Sequence, residues 1–183
     1  MMFWKLRKPA AFGALCLALA VTGASAGTAT PAEAAEGFYA VYASFHPSDG
    51  IPDAAGRAKY APYLSPALES LLKQGDEAAA RFAKANKDSP PLIEGDLFTS
   101  MFEGATSHQI SACKQTDETA RCTVELVYDD GKDKPIRWSD TLALVKTGTG
   151  WRVDDIFYGG NWAFANKGRL TDTLRQAISD AGG

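Results

Sequence analysis

Residues 107–128, SHQISACKQTDETARCTVELVY, decide the fold class of this chain. Two runs, Ser107–Gln115 and Ala120–Tyr128, flank a polar turn at Thr116–Thr119. Their period of two marks half-buried strands rather than helix. With Asp117 and Glu118 at the turn centre, Gln115 faces Ala120 and Cys113 faces Cys122. Directly opposed residues of an antiparallel pair lie ~4.5–5.5 Å apart, within disulfide reach. The spacing therefore predicts a Cys113–Cys122 bridge that staples the hairpin. On the second strand Cys122, Val124, Leu126 and Tyr128 share one face, and Thr123 and Glu125 the other.

Downstream the same period continues. Asp129–Asp133 reads as a turn, and a strand over Ile136–Lys146 puts Ile136, Trp138, Leu142 and Leu144 on one side. Thr147-Gly148-Thr149-Gly150 turns the chain into Trp151–Tyr158, which completes an antiparallel meander. Leu170, Leu174, Ala177 and Ile178 then lay an apolar stripe on a short closing helix.

Upstream the period is helical. Phe38, Val41, Tyr42 and Phe45 fall at i, i+3, i+4 and i+7 on a helix that begins near Pro31 and ends at His46-Pro47. Ser48–Pro52 reads as a turn, after which Asp53 caps a short helix through Tyr60. Ser65-Pro66 is a strong start signal, and Leu68, Leu71 and Leu72 form the apolar face behind it. Gly75 predicts an interruption, with Asp76 capping a further stretch to about Ala85 that turns Ala79, Phe82 and Ala83 inward. Ser89-Pro90-Pro91 ends the helical territory, and Leu97–Phe102 reads as a short strand. Helices followed by an antiparallel sheet make an α+β plan, in which the first helix covers one sheet face.

The N-terminus gives an address. Lys5, Arg7 and Lys8 precede an apolar run from Ala10 to Val21, and Ala24-Ser25-Ala26 offers the small residues a signal peptidase needs. These features predict a secretory signal peptide over 1–26, cleaved between Ala26 and Gly27, with no stable membrane insertion afterwards. Residues 27–33 would be a flexible lead-in, and 34–180 a single domain. Cys16 is filler in the apolar run, so the mature chain keeps two cysteines, an even pair as expected of an exported protein. The leader carries three of the 19 basic residues and none of the 22 acidic ones, which leaves the mature chain at −6. Such a balance argues against nucleic acid and anionic lipid as partners.

Pro90-Pro91 leading to Gly95-Asp96-Leu97-Phe98, together with the final strand Trp151-Arg152-Val153-Asp154-Asp155-Ile156-Phe157-Tyr158, resembles a family of exported bacterial proteins of unknown function. The predicted fold of that family is similar to the nuclear-transport-factor-like (cystatin-like) α+β cone. The resemblance spans roughly Ala34 to Ser179. It implies a curved sheet wrapped on a long helix, and it carries over no catalytic residue.

Cone folds often hold a pocket between sheet and first helix. Phe38, Tyr42, Trp138, Trp151, Asp155 and Tyr158 are the residues this chain could place there, and Asp140 sits among apolar alternates on its strand. Asp155 and Tyr42 are the candidates for proton transfer. Asp155 shares strand parity with Trp151 and Val153, so it should face the core, where a carboxylate would have a raised pKa. The competing expectation is that Asp155 receives hydrogen bonds at a strand end and stabilises the fold.

Other motifs carry no site. Asp129–Asp133 lacks the distal Glu of a calcium loop, Gly148-Thr149-Gly150 is turn chemistry, and His46 and His108 read as surface or capping residues. No metal or cofactor is implied. The sequence thus points to an exported, periplasmic or secreted, non-enzymatic domain that binds a small ligand or an envelope protein. A small-molecule isomerase or lyase and an inhibitor or immunity-type protein for an envelope hydrolase are the alternatives.

Overall fold

Thr30 and Glu33 cap each other at the start of the folded chain. Glu33 N donates to Thr30 Oγ1 at 3.2 Å, and Thr30 N donates to Glu33 Oε2 at 2.7 Å. In the computed structural model, which describes residues 1, 29–45 and 50–182, this box opens helix α1, Pro31–Phe45. The helix starts at Pro31, where the sequence places its beginning, so Pro31–Glu33 belong to it and not to the lead-in expected over 27–33. Residues 2–26 of the leader, its cleavage point and His46 lie outside the described residues.

Helix α2, Ala54–Tyr60, is capped by Asp53, whose side chain accepts from Gly56 N at 2.8 Å. A 3-10 turn over Ala61–Tyr63 leads to α3, Pro66–Ala85, whose cap Ser65 accepts from Leu68 N at 3.0 Å. Strands β1, Ser107–Gln115, β2, Thr119–Tyr128, β3, Ile136–Thr147, and β4, Gly150–Phe157, precede α4, Leu170–Asp180. The strands form one open antiparallel sheet in the order β1-β2-β3-β4. The architecture is α+β, as the sequence predicts. Helix α1 packs on β1, β2 and β4, and α4 packs on α3 and β4.

The hairpin has the expected register. Gln115 pairs with Ala120 and Cys113 with Cys122, and a disulfide joins the two cysteines across a Cα–Cα separation of 4.0 Å. Cys122, Val124, Leu126, Leu142 and Leu144 are buried against Phe38, Tyr39 and Tyr42 of α1 in one core.

Three local expectations are overturned. Gly75 does not interrupt α3, which runs unbroken through it. A Cβ at Gly75 would sit 3.0 Å from Ile51 Cδ1 and 3.3 Å from Leu174 Cδ2, so the missing side chain serves close packing against α4. The unbroken helix keeps one phase. It buries Leu68, Leu72, Gly75 and Ala78, half-buries Ala79 and Phe82, and leaves Ala83 exposed. Asp76, released from capping, pairs with Arg57 across to α2 at 2.5 Å.

Residues 97–102 form no strand. They belong to a largely buried loop, 94–105, whose backbone is satisfied by side chains and by single backbone bonds such as Asp96 N to Phe102 O and Asn166 N to Ser100 O, rather than by a ladder. The third difference concerns Asp155. The register shifts between Ala143 and Leu144, so Leu144 pairs with Val153, Ala143 with Asp155 and Leu142 with Ile156. Asp154 is the extra residue of this bulge, which moves Asp155 off the face shared by Val153 and Ile156.

Candidate functional site

Each residue of a buried loop brings an N–H and a C=O that must find partners, and the 94–105 loop finds them in side chains from four elements. From α1, Tyr39 OH donates to Phe98 O at 3.1 Å. From the end of β4, Tyr158 OH donates to Leu97 O at 2.7 Å. From the segment before α4, Asn166 Nδ2 donates to Asp96 O at 2.9 Å and Thr99 O at 2.8 Å. Asp96 serves its own loop: Oδ1 accepts from Phe98 N at 2.6 Å and Thr99 N at 2.9 Å, an Asx turn seeded by the Gly95-Asp96 pair.

Asp140 on β3 is the second anchor. Oδ2 accepts from Ser100 N at 2.8 Å and Trp138 Nε1 at 3.1 Å, while Oδ1 accepts from Gly159 N at 2.8 Å and from the Ser100 hydroxyl. Gly160 N donates in turn to Ser100 Oγ at 2.9 Å. One carboxylate, 1 % exposed, therefore ties the 94–105 loop to β3 and to the loop after β4.

Tyr42 and Asp96 form the third anchor. The Tyr42 hydroxyl donates to Asp96 Oδ2 and accepts from Ala105 N at 2.8 Å. Gly104 lies against this pair with φ +83°, and a Cβ there would stand 2.5 Å from the Tyr42 hydroxyl and 2.6 Å from Asp96 Oδ2. Glycine alone fits both the backbone angle and the space. Burial pushes the Asp96 carboxyl up to about 7, against the opposing pull of its donors from Tyr42, Phe98 and Thr99. The Tyr42 phenol is likewise pushed far above its ordinary value by burial, with the Asp96 charge adding to the shift.

Of the residues expected to line an internal pocket, Phe38, Tyr42, Trp138 and Trp151 belong to the buried core cluster and Tyr158 packs against it. Phe38 is fully buried with its ring 5.3 Å from Tyr39 and Phe98 and 5.2 Å from Tyr60. Trp138 and Trp151 are buried, and Trp138 packs edge-on against Trp162 at 5.6 Å. Tyr42 and Tyr158 spend their hydroxyls on the loop.

Asp155 stands apart from all of them. Its Oδ1 accepts from Thr171 N at 3.0 Å and Ile156 N at 2.9 Å, and its Oδ2 accepts from Thr171 Oγ1 at 2.8 Å. It caps the first turn of α4 from across the bulge, with Arg169 Nε at 3.6 Å. Its neighbour Asp154 accepts from the hydroxyl of Ser65, the α3 cap, at 2.6 Å. The two acids thus serve two helix N-termini, where negative charge is favoured. His108 is partly buried, with its ring stacked on Tyr39 at 5.3 Å and Nε2 3.2 Å from Glu36 Oε1.

An open groove of about 440 Å³ is lined by Met101, Phe102, Glu103, Ile136, Trp162 and Phe164. Phe102, Ile136 and Phe164 are 49 %, 41 % and 87 % exposed. Two further grooves, about 380 Å³ between α2 and α3 and about 280 Å³ at the β1–β2 turn, have mostly polar and charged or small linings. None of these three lies between α1 and the sheet. The apolar groove is built from the loops that Asp96, Asp140, Ser100 and Asn166 clamp, so its rim is held in place from beneath.

Sequence reasoning named Tyr42, Asp140, Trp138 and Tyr158 and missed Asp96, Ser100, Asn166, Phe102 and Phe164. The available signal was Gly95-Asp96 with Gly104 eight residues beyond the Asp, two glycine turns bracketing an apolar run too irregular for a strand. Comparison with family models, with curated proteins and with solved structures finds no match to this chain.

Proposed function

We propose that this chain is an exported, non-catalytic interaction domain that grips an apolar segment of another protein in the groove of Phe102, Ile136 and Phe164. The observation that carries the reading is that the large hydrophobic side chains exposed at that end of the molecule converge in one groove on clamped loops. Scattered exposed apolar residues are ordinary. A cluster on a rigid support is the usual mark of a contact surface.

Supporting features come from the rest of the chain. The leader-like residues 1–26, with cleavage between Ala26 and Gly27, and the Cys113–Cys122 bridge fit an oxidising compartment such as the periplasm. Among the described residues no helix is long and apolar enough to cross a membrane. The resemblance to exported cone-fold proteins points the same way. An isomerase or lyase reading loses support, because Asp155 caps α4 and Tyr42 is committed to Asp96 and Ala105.

The test is capture from an envelope extract by the mature wild-type chain, by Phe102→Asp/Phe164→Asp, and by Ser70→Asp as a control in the α2–α3 groove. The expected result is one stoichiometric protein retained by the wild type and by the control and lost by the double variant. A partner that the double variant retains, or no partner at all, rejects the groove as the working surface. A captured hydrolase would narrow the reading to an inhibitor or immunity-type role.

A further inference from the structure

We infer that the segment held by the groove is anchored through an arginine or lysine side chain, its charged head beside Glu103 and its stem along the exposed rings. The inference rests on the groove having a protein partner, and it adds the chemistry of the residue that enters.

The aromatic walls of the groove are seated from behind on bare backbone. A Cβ at Gly95 would stand 2.5 Å from Phe102 Cδ2 and 2.7 Å from Cε2, so the Phe102 ring lies where only glycine admits it. Trp162 is seated in the same way at Gly160, where a Cβ would stand 2.8 Å from Trp162 Cη2. Its ring also packs edge-on against Trp138 at 5.6 Å. Phe164 lies in a turn closed by Ala165 N to Trp162 O at 3.3 Å and tied to the 94–105 loop by Asn166 N to Ser100 O at 2.8 Å. Among the described residues neither Phe102 nor Phe164 packs against another aromatic ring, and they are 49 % and 87 % exposed. The groove therefore presents open ring surface on fixed supports.

Glu103 is the one acid or base among the six residues that line the groove. Its carboxylate has no hydrogen bond or ion pair among the described residues. The segment that leads into β3 carries Asp129, Asp130 and Asp133 against Lys132, Lys134 and Arg137, so its charges balance. Lys167, the base nearest Trp162 in sequence, directs its ammonium to Gly160 O at 2.6 Å. Glu103 thus sets the sign of charge that the groove itself offers. An unpaired carboxylate beside open aromatic rings recognises a cation twice, by charge and by the negative potential of the ring faces. An aliphatic anchor would cover the same rings and leave Glu103 unpaired, and an acidic one would be repelled. Arginine and lysine also bring an apolar stem, which Met101 and Ile136 can cover.

The experiment uses the wild-type chain and three acetylated, amidated peptides of the pattern Ser-Leu-X-Leu-Ser, with X arginine, citrulline or glutamate. Citrulline keeps the length and shape of arginine without its charge. Binding is read by NMR titration of the Phe102, Glu103 and Phe164 amides and the Trp162 indole N–H. The arginine peptide should bind about fivefold more tightly than the citrulline peptide, and the glutamate peptide more weakly than either. Glu103→Gln should lower the arginine-to-citrulline ratio to about twofold, the part left to the rings. Glu69→Gln removes the same charge from the α2–α3 groove and should leave the ratio unchanged. Equal affinity for the arginine and citrulline peptides overturns the cationic anchor and leaves the groove an apolar docking surface. A ratio lowered as much by Glu69→Gln as by Glu103→Gln does the same, because the preference would then come from overall charge. Absence of shifts at the groove with all three peptides would overturn the groove reading itself, and the anchor with it.

Discussion

Asp140 accepts four protein donors at a site 1 % exposed, so its removal leaves three buried donors and the more accessible Gly159 amide unanswered. Each orphaned donor costs about 1–3 kcal/mol, partly relieved where a neighbour relaxes. Asp140→Ala should therefore cost more than about 3 kcal/mol, and Asp140→Asn, which keeps one acceptor oxygen, about 2 kcal/mol. Urea unfolding with an unchanged m-value would read both. A loss below about 1 kcal/mol in the alanine variant would mean that the loop is not anchored there. Asp155 makes an instructive contrast. It caps the first turn of α4 at a site 5 % exposed, where Asn keeps one acceptor oxygen, so Asp155→Asn should cost about 1–2 kcal/mol, within the usual range for a helix cap. The sequence made Asp140 visible, because a carboxylate among apolar alternates stands out on a strand. For Asp155 the parity expectation fails, because a one-residue bulge reverses parity and strand patterns show no bulge in advance, while the competing expectation of a strand-end carboxylate that accepts hydrogen bonds holds. Asp96 stands in a quoted motif but its role as an anchor is not legible there, because that role depends on Tyr42, 54 residues away.

Among the elements, legibility follows the range of the interactions that make them. The β1–β2 hairpin is readable in register from the turn to the Cys113–Cys122 rung, because a short turn and two alternating strands fix one another locally, and the shift between Ile110 and Ala112 beyond it leaves no mark in the pattern. The caps at Asp53 and Ser65 were readable for the same reason. Helix α3 was misread at Gly75 because the glycine's cause is tertiary, the approach of Leu174 from α4 and of Ile51. Leu97–Phe102 reads as a strand in sequence and folds as loop because its apolar run is anchored by distant side chains that composition does not show. The hairpin gives the prediction at this scale. The bridge closes a loop with a sequence separation of 9, and a loop of that length loses about 2–3 kcal/mol of unfolded-state entropy when cross-linked. Cys113→Ala/Cys122→Ala should lose stability by that amount and keep its fold. Chemical denaturation with near-native circular dichroism would check it, and a wholly unfolded double variant would show that the staple carries more than chain entropy.

At the scale of the molecule, the fold divides its apolar surface into two populations with different duties. Phe98, fully buried beside Phe38 and Tyr60, is held by aromatic contacts on both sides. Four residues along the same loop, Phe102 is 49 % exposed and contributes to a groove rather than to the core. The loop thus carries a stability residue and a surface residue within one clamped segment, and mutation should separate them. Phe98→Ala removes a fully buried aromatic ring and should cost about 3–5 kcal/mol. Phe102→Ser/Phe164→Ser trims side chains that water already reaches, so its stability should stay within about 0.5 kcal/mol of the wild type. Thermal unfolding of the two variants beside the wild type makes the measurement. A large loss in the double serine variant would place Phe102 and Phe164 among the groups that hold the fold, and the groove would then have a structural reason to exist without a partner. Retained stability would leave those rings without a part in holding the fold, as the proposed docking groove requires.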